Sequence, residues 1–435
     1  MSQPSNPSPS GPGKPGSAAS LGQWLAYLEA LHPSEIDLGL DRVLLVLRKL
    51  MTGRPHARII TVAGTNGKGS TVACLEALLL ASGRRVGAYT SPHLSRYNER
   101  VRINGVEVAD QALVSAFERI EAARGNTSLT YFEFGTLAAF LVMADQGLED
   151  WVLEVGLGGR LDAVNCLDPD LAIITSVDID HVAWLGNDRE SIGFEKAGIL
   201  RPGIPALYAD EDPPRSVLQQ AQAQKIRLWR YGEDYQVAAD GGKIVINELQ
   251  RVVALPPLPL PVTSVAAAVR AALWLEPALS DETINRALAR VRVPGRFELV
   301  GTVPAVYLDV GHNPHAARWL AGKLSTLGAR KVHAVYACLA DKDASAVVHA
   351  LMDVVDHWYL AGLAVPRGLS VTELAQRLAP MLQSRPPSTY ETVTAALAAA
   401  RSQAEPDDLV VVFGSFYTVA EAREQLVPAS GPEAP

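Results

Sequence analysis

A glycine-rich segment, GTNGKGST at Gly64 to Thr71, follows a run of apolar and β-branched residues and opens a helical pattern. Glycines let a backbone approach phosphates, the free N–H groups of a helix start point at an anion, and Lys68 adds a point charge. The spacing departs from the usual G-x4-G-K-[ST] loop, because Val62 replaces its first glycine and Gly64 lies only three residues before Gly67. The alternative is a plain strand-to-helix turn. Since a lysine there opposes the helix dipole unless an anion binds, a phosphate-binding loop is predicted.

A carboxylate stands at the end of the strand predicted in WVLEVGLGGRLDAVN, Trp151 to Asn165. Enzymes with phosphate loops place an acid at such a strand end to hold Mg²⁺, which makes Glu154 a candidate ligand. Gly156, Gly158 and Gly159 do not complete a G-x-G-x-x-G fingerprint, so a dinucleotide site is rejected. An exposed acid without function is the alternative, and the neighbouring phosphate loop favours the metal role.

Three polar residues follow the apolar run in ITSVDIDHVAWLG, where a strand is predicted to end at Val177. Asp178, Asp180 and His181 then lie on the loop after that strand. His181 could bind a metal ion through one ring nitrogen while a neighbour fixes the other. A lone histidine is more often structural, and both interpretations stay open at this point.

Lys196 lies in FEKAGIL, on a short and largely apolar predicted helix. Burial of a lysine lowers its pKa and leaves a neutral, nucleophilic amine. An ion pair between Lys196 and a nearby acid is the alternative, and the sequence alone favours that alternative.

The segment YLDVGHNPHAA places Asp309 at the end of a predicted strand, with His312 beside it. Open α/β sheets bind ligands at such strand ends. Asn313, which precedes a proline, is well explained as the N-cap of the next helix. Arg296, in PGRFE, lies at a predicted domain junction, where it could reach a nucleotide from the far side or be an unpartnered linker residue.

Short apolar runs alternate with helical patterns around these residues. In the first series, strands are predicted at RIITVAG, RVGAYTS, DWVLEVG, LAIITSV and IPALYAD. Helices are predicted at Lys68 to Ser82 and in ADQALVSAFERIEAAR, FEFGTLAAFLVMADQ and SIGFEKAGIL. Gln236 to Leu255 alternates like a small hairpin around AADGGK. The alternation predicts a mostly parallel sheet with helices on both faces.

A second α/β series begins after VPGRFE. Its predicted strands are AVYLDV, HAVYAC, HWYLAGL and DLVVVFG, and its helices include HAARWLAGKLSTL, SVTELAQRLAPML and VTAALAAAR. We therefore predict a first domain at 21–295 and a second domain at 296–428, with ligands in the cleft between them. Residues 1–20, of which fourteen are Ser, Pro or Gly, are predicted to be a disordered tail, and 429–435 a flexible one.

Composition excludes several classes of protein. The 435 residues are 48% hydrophobic and 20% charged, which is ordinary for a globular chain. The 39 Lys and Arg against 47 Asp and Glu give a net charge of −8, without the broad basic footprint of a duplex-binding protein. Cys74, Cys166 and Cys338 form no CxxC pair, which suits a reducing cytoplasm. Because no apolar stretch reaches ~18 residues, no membrane-spanning helix is predicted.

Together these motifs resemble those of the folylpolyglutamate synthase family, and in particular its bifunctional dihydrofolate synthase/folylpolyglutamate synthase type, among the Mur-ligase-type ATP-dependent amide ligases. The resemblance extends from about Leu21 to about Glu421. The matching stretches are EIDLGLDRV, VAGTNGKGST, YTSPHL with ERVRING, TYFEFGTLAAF, LEVGLGGRLDAVN, SVDIDH, FEKAGI, PGRFE, LDVGHNPHAA and FGSFYTVAE. The resemblance implies an α/β fold: a P-loop Mur-ligase-like ATP-binding domain with a mostly parallel sheet, and a smaller Rossmann-like C-terminal domain.

The resemblance also implies roles for individual residues. ATP would be contacted by Asn66, Gly67, Lys68, Gly69, Ser70, Arg296, Asp309 and His312. Mg²⁺ would be held by Ser91, Glu154 and His181. A pterin-type substrate would be held by Asp37, Leu38, Gly39, Thr130, Tyr131, Phe132, Glu133, Leu161, Asp162 and Ala163. Lys68, Lys196 and His181 would take part in catalysis, and Lys196 matches a lysine that is carbamylated in this family.

One segment departs from the family pattern. The family tends to place an asparagine after an LPLP run, where it contacts the nucleotide. This chain has LPLPVTSVAAA, without that asparagine. Thr263 or Ser264 could replace the contact.

The activity implied by the resemblance is that of an ATP- and Mg²⁺-dependent ligase, which joins L-glutamate to dihydropteroate and to reduced folates through an acyl phosphate. The expected protein is a cytoplasmic monomer whose partners are these small molecules, without nucleic acid or membrane. Three alternatives stay open: polyglutamylation alone, a Mur-type ligase for UDP-sugar peptides, and a non-catalytic ATP-binding scaffold. The Mur-type alternative needs a separate domain before the phosphate loop, for which about 40 ordered residues are too few.

Overall fold

Two large β-sheets, of eight and six strands and each covered by helices, organise the chain in the computed structural model. The structure describes residues 13–16, 18–32, 34, 36–238 and 241–427. Most of the predicted N-terminal tail at 1–20 lies outside these ranges. The whole predicted C-terminal tail at 429–435 also lies outside them. Within them, no helix has both the length and the apolar character needed to cross a membrane.

The first part of the chain alternates strands and helices as its apolar runs predict. Its helices are α1 (Leu21–Leu31), α2 (Asp41–Leu50), α3 (Lys68–Ala81), α4 (Asp110–Arg124), α5 (Tyr131–Ala144), α6 (Val182–Leu185), α7 (Arg189–Ala197), α8 (Arg215–Ala223), α9 (Val262–Leu275) and α10 (Asp281–Leu288). Its strands are β1 (Arg58–Ala63), β2 (Val86–Tyr89), β3 (Val101–Ile103), β4 (Val106–Glu107), β5 (Asp150–Glu154), β6 (Leu171–Ile174), β7 (Ala206–Tyr208), β8 (Leu228–Arg230), β9 (Tyr235–Val237), β10 (Lys243–Ile246) and β11 (Arg251–Ala254). Short 3-10 helices lie at Tyr97–Arg100 and Ala163–Cys166.

The large sheet has the strand order β4-β3-β2-β5-β1-β6-β7-β8 and is parallel apart from β3 and β4. In the register, Val62 of β1 lies opposite Glu154 of β5, and Ala63 lies opposite Ile174 of β6. Neighbouring parallel strands end at the same edge of a sheet, and that edge is where such folds bind ligands. The phosphate loop after β1, Glu154 and the loop after β6 therefore come together.

Both faces of this sheet are covered, which explains why its central strands are almost wholly apolar. Residues Ile59 to Ala63 of β1 are all buried. Helices α1, α2, α4 and α5 cover one face, and α3 and α9 pack together over the other.

Strand β6 is shorter than predicted, since it ends at Ile174 rather than at Val177. Thr175 N still donates to Ala63 O of β1 at 2.9 Å, but the side chains of Thr175 and Ser176 bond to the phosphate loop. Thr175 Oγ1 donates to Asn66 O at 2.6 Å, and Ser176 Oγ accepts from Asn66 N at 3.1 Å. The prediction was wrong because these residues brace the loop rather than extend the strand.

The predicted small hairpin is confirmed as β9 and β10, and β11 adds a third antiparallel strand. Two residues of its predicted turn, 239 and 240, lie outside the described ranges.

The second series forms a six-stranded sheet in the order β12-β13-β17-β14-β15-β16, parallel except for the edge strand β12. Its strands are β12 (Glu298–Thr302), β13 (Ala305–Asp309), β14 (Val332–Tyr336), β15 (His357–Ala361), β16 (Ser388–Tyr390) and β17 (Leu409–Phe413). Its helices are α11 (Pro314–Thr326), α12 (Ala344–Leu351), α13 (Val371–Leu378), α14 (Val393–Gln403) and α15 (Phe416–Leu426). The predicted fold class is confirmed, and the domain limits at 21–295 and 296–428 stay a prediction.

A loop of the first domain inserts a side chain into the core of the second. Leu94, after β2, belongs to a buried cluster that also holds Val310 and Val419 of the second domain. The Glu99 carboxylate orders this loop, because it accepts three successive backbone N–H groups, starting at Leu94, at 2.6 to 2.7 Å. The two domains therefore share apolar packing next to the cleft.

Candidate active site

The phosphate loop turns from β1 into α3 through two glycine conformations, and the segment after β6 supports it. Thr65 N donates to Ser176 O at 2.8 Å. Gly64 and Gly67 have φ angles of 152° and 87°, in the region that favours glycine. A Cβ atom at Gly64 would lie 1.8 Å from Thr175 Oγ1. Both glycines are therefore required by the shape of the loop.

Ser264, near the start of α9, lies against this loop. A Cβ atom built on Gly67 would be 2.4 Å from Ser264 Oγ, and Ser264 is buried. The segment that lacks the family's asparagine therefore reaches the phosphate loop. Of the two predicted substitutes, Ser264 is in direct contact with the loop, and its bond to a nucleotide stays a prediction.

Lys68 folds over the loop that it follows. Its Nζ donates to Gly64 O at 2.9 Å and to Thr65 O at 3.3 Å. Burial lowers the pKa of the Lys68 ammonium, and Glu154 partly opposes this effect. Carbonyl oxygens thus hold the ammonium in the cleft at the entrance to the loop, where a phosphate would meet it.

Glu154 and Ser91 place oxygen donors on the wall of the same cleft. Ser91 N donates to Glu154 Oε2 at 3.3 Å, and the Glu154 carboxylate is buried. Burial raises the pKa of Glu154, while Lys68 and Arg296 oppose the rise. In the described part of the chain, no group of three His, Cys, Asp or Glu forms a complete metal site. The pair fits Mg²⁺ nonetheless, because this ion takes one or two protein oxygens and shares its remaining ligands with water and phosphate.

His181 precedes α6 in a left-handed conformation, with φ at 52°. Desolvation in the cleft lowers the pKa of His181 to about 4; Asp180 opposes this effect and Lys342 adds to it. The imidazole is therefore neutral at neutral pH, which is the form that can ligate a metal. Its position on the same cleft as Glu154 supports the metal interpretation, which stays a prediction.

Lys196 lies on α7 with only 3% of its surface exposed. Burial lowers the pKa of Lys196 to about 7, with a further lowering from Lys68 and partial opposition from Asp180 and Asp162. No salt bridge involves Lys196 within the described ranges. The ion-pair alternative is therefore not observed, and a substantial fraction of the amine is neutral near pH 7.

The second domain forms the facing wall. The Arg296 guanidinium lies 5.5 Å from the centre of the Phe416 ring, and both residues line the cleft with His312. Asp309 is buried at the end of β13, where it accepts two backbone N–H groups at 2.8 and 3.0 Å. Burial raises the pKa of Asp309, and Arg296 opposes the rise. Arg296 is thus part of the cleft rather than an unpartnered linker residue.

One cleft brings together most of the predicted nucleotide, metal and catalytic residues. Its walls include Asn66, Gly67, Lys68, Ser91, Glu154, His181, Lys196, Arg296 and His312. Gly69 and Ser70 lie in the first turn of α3, and Asp309 is buried at the end of β13. These three are not among the described residues that line the cleft.

The segments predicted to hold a pterin are linked to one another beside the cleft. Arg42 joins two of them, since it donates to Asp37 O at 2.7 Å and to Glu133 Oε1 at 2.8 Å. The Phe132 ring lies 2.5 Å from a Cβ atom built on Gly156, a residue of the cleft wall. The pterin segments therefore border the nucleotide cleft at Gly156.

The third pterin segment is ordered by Asp162. Its carboxylate accepts from Leu157 N at 2.8 Å and from Val164 N at 2.9 Å. Burial raises the pKa of Asp162 to about 6, although these backbone N–H groups oppose the rise. Asp162 thus shapes the turn between the cleft residue Leu157 and the following 3-10 helix. Pterin binding by the three segments stays a prediction.

Sequence reasoning missed the residues that join the domains across the cleft. Asn66 Nδ2 donates to Asn313 Oδ1 at 3.1 Å and lies 2.8 Å from His315 Nδ1. Lys342 Nζ lies 2.6 Å from Asp180 Oδ1. Asn313 does cap α11, as predicted, but a cap explains none of these contacts. The only available signal was that Asn313 and Asp180 each follow a strand end.

Comparisons with known proteins agree with this architecture. Residues 62–254 match the Mur ligase middle domain, and 295–416 match the Mur ligase, glutamate ligase domain. The dihydrofolate synthase/folylpolyglutamate synthase of Escherichia coli (strain K12) is 43% identical over 414 residues, covering 94% of this chain and 96% of that protein.

Solved structures show the same likeness. Escherichia coli FolC in complex with DHPP and ADP has a TM-score of 0.90 and 42% identity, and the match covers 95% of this chain and 99% of that one. The bifunctional folylpolyglutamate synthase/dihydrofolate synthase of Yersinia pestis, complexed with AMPPNP and Mn ion, has a TM-score of 0.89 and 44% identity, with the same two coverages. The chain belongs to the dihydrofolate synthase/folylpolyglutamate synthase family of Mur ligases.

Proposed function

We propose that this protein is an ATP-dependent ligase that adds L-glutamate to dihydropteroate, giving dihydrofolate, and then adds further glutamates to reduced folates. One observation carries the proposal: the phosphate loop and Glu154 of the first domain face Arg296 and His312 of the second across a single cleft. The relatives bound to DHPP with ADP, and to AMPPNP with Mn, support the same substrates and cofactors, ATP and Mg²⁺.

The proposed reaction begins at the carboxylate of the pteroyl substrate. A carboxylate is a poor acyl donor, so its oxygen first attacks the γ-phosphorus of ATP, giving an acyl phosphate and ADP. The amine of L-glutamate then attacks the acyl carbon, and phosphate leaves as the amide forms. Lys68 and the backbone N–H groups of the loop offset negative charge on the transferring phosphoryl group. Mg²⁺, when held by Ser91, Glu154 and His181, supplies further neutralisation of the phosphate charge.

The second domain completes this site. Arg296 contacts the nucleotide from the side opposite the phosphate loop, with His312 close by. The contact proposed for Asp309 requires its buried carboxylate, which accepts from Phe297 N and Gly311 N, to reach the cleft as the nucleotide binds. Closing the cleft excludes water, which otherwise hydrolyses an acyl phosphate. Lys196 acts near the metal, as the buried amine or as its carbamate, and its lowered pKa favours carbamate formation because only the neutral amine reacts with CO₂.

In this proposal the pterin ring binds among Asp37 to Gly39, Thr130 to Glu133 and Leu161 to Ala163. The close approach of Phe132 to Gly156 of the cleft wall supports a pteroyl carboxylate that reaches toward the phosphate loop. Asp162, with its raised pKa, can offer either a proton or a lone pair to the ring.

The deciding experiment measures glutamate-dependent ADP release by the purified protein with ATP and Mg²⁺. Turnover is expected with dihydropteroate and, separately, with tetrahydrofolate. Turnover with tetrahydrofolate alone would leave polyglutamylation as the single activity. Failure with both, together with stabilisation by a UDP-sugar peptide, would favour the Mur-type alternative. ATP binding without turnover on any acceptor would indicate a scaffold.

We also propose a monomer that works in the cytoplasm. The three cysteines are unpaired, which supports a reducing compartment. Both walls of the cleft, with Glu154 on one and Arg296 on the other, belong to the same chain, so the proposed site needs no second copy. Sedimentation of the purified protein at working concentration tests its oligomeric state.

A further inference from the structure

Asn313 uses every hydrogen-bonding position of its side-chain amide, and most of them reach the first domain. Its Oδ1 accepts from Ala316 N at 3.0 Å, the bond that caps α11. Its Nδ2 donates to Asn66 Oδ1 and to Asp180 Oδ2, both at 3.0 Å, and its Oδ1 also accepts from Asn66 Nδ2 at 3.1 Å. An amide offers two donors and two acceptor positions, so this buried side chain is fully satisfied.

Asp180 is the point on which second-domain donors converge. Lys342 Nζ lies 2.6 Å from one carboxylate oxygen, while His312 Nε2 at 3.3 Å and Asn313 Nδ2 at 3.0 Å contact the other. The side chains of Asp180 and Lys342 are only 9% and 7% exposed. Breaking this cluster therefore leaves desolvated charges without partners.

A helix cap alone does not require this arrangement. An N-cap needs one acceptor oxygen, and Ser, Thr or Asp provides it as well as Asn does. Other helices of the second domain are capped in that way, by Asp343, Ser370, Thr392 and Ser415. The amide nitrogen of Asn313 is thus not needed for capping. It donates instead to Asn66 and Asp180 of the first domain.

We propose that Asn313 and Asp180 are positioning residues that hold the second domain closed over the phosphate loop. Asn313 bonds directly to Asn66 of that loop, and Asp180 immediately precedes His181 on the cleft wall. Their separation moves Arg296 away from a nucleotide held by the loop. The expected loss of turnover rests on the proposed function. The closed position of the second domain rests only on the hydrogen bonds of Asn313 and Asp180.

The first test is Asn313→Asp. This variant keeps an acceptor for the cap of α11 but replaces the Nδ2 donor by a carboxylate that faces Asp180. In nucleotide-free protein, we expect a larger radius of gyration in small-angle X-ray scattering. We also expect kcat to fall by about tenfold or more, the factor associated with a hydrogen bond to a charged group. Thr392→Asp, a cap change on the exposed start of α14, is the matched control and keeps wild-type values.

The second test exchanges the two side chains. In Asp180→Asn with Asn313→Asp, the amide donates to the carboxylate in the opposite direction, and the total charge is unchanged. We expect the double variant to recover part of the compactness and turnover that each single variant loses. Such a recovery would show a coupling energy between positions 180 and 313. Two independent local defects would add and would not produce this coupling.

Two results overturn the inference. One is an Asn313→Asp variant with wild-type radius of gyration and kcat, which would reduce Asn313 to a helix cap. The other is a double variant whose losses are the sum of the single ones. The thermal midpoint of Asn313→Asp is expected to fall below that of Thr392→Asp, because two carboxylates then face each other, so the double variant separates this coupling from general damage. If the wild-type protein adds glutamate to neither dihydropteroate nor tetrahydrofolate, the proposed function fails, while scattering still tests the closed position.

Discussion

Replacing Lys196 by methionine is expected to stabilise the folded protein at neutral pH while abolishing ligase activity. Burial, with repulsion from Lys68, lowers the pKa of Lys196 from its ordinary 10.5 to about 7. In the unfolded chain this amine keeps its proton up to about pH 10.4. As pH falls below that value, the unfolded state binds the proton more readily than the folded state, and stability decreases. The decrease is about 1.4 kcal/mol per pH unit and reaches ~5 kcal/mol below about pH 7.

Methionine has a similar length and no charge, so the variant escapes this penalty. The assay is urea unfolding of both proteins at about pH 6, 7.5 and 9.5, with glutamate-dependent ADP release measured in parallel. The advantage of the variant should be largest at the lowest pH and shrink toward the highest. Lys243→Met, an exposed lysine on β10, is the control and should show no such trend. A pH-independent difference, or a less stable Lys196→Met variant at neutral pH, would refute the reasoning and indicate a charged, paired lysine.

Three other changes test separate parts of the structure. Gly67→Ala, which forces a side chain onto a φ of 87°, should weaken ATP binding in calorimetry by about tenfold or more while the thermal midpoint stays within a few degrees of wild type; unchanged affinity would contradict the loop geometry. Glu154→Gln should raise the Mg²⁺ concentration for half-maximal rate and lower kcat, and a wild-type Mg²⁺ titration would exclude Glu154 as a ligand. Asp150→Ala should cost about 1.5 to 3 kcal/mol in urea unfolding, because it removes the buried partner of Arg58 and Arg84, which keep only the partly exposed Glu276 and Glu149; a cost below ~1 kcal/mol would show that these carboxylates replace Asp150.

The sequence was most informative where chemistry and local structure coincide. The glycines of the phosphate loop, and Glu154 at a strand end, are recognisable because their types, spacing and neighbouring apolar runs all point to one edge of a parallel sheet. The phosphate loop and the segment after Glu154 then lie side by side, because β1 and β5 are neighbouring parallel strands. The cleft could therefore be predicted before its geometry was known.

Contacts between distant segments could not be predicted in this way. Asn66 and Asn313 are 247 positions apart, and no local pattern relates them. Helix α9 was also missed, because its alanine-rich sequence is buried on most sides and has no polar face to give a helical period. For Lys196, the sequence favoured an ion pair with a nearby acid. The protonation state of the amine is instead set by burial, which depends on the packing of the whole domain.

Leu94 has a consequence for how the protein moves. Its loop also carries Ser91, so a predicted metal ligand and an anchor in the opposite domain lie only three residues apart. Pulling Leu94 out of its pocket costs about 2 kcal/mol, so a swing of the second domain drags the loop with it. We therefore expect the pivot of such a swing to lie beside the predicted metal site, and the spacing between Ser91 and Glu154 to change with the angle between the two domains.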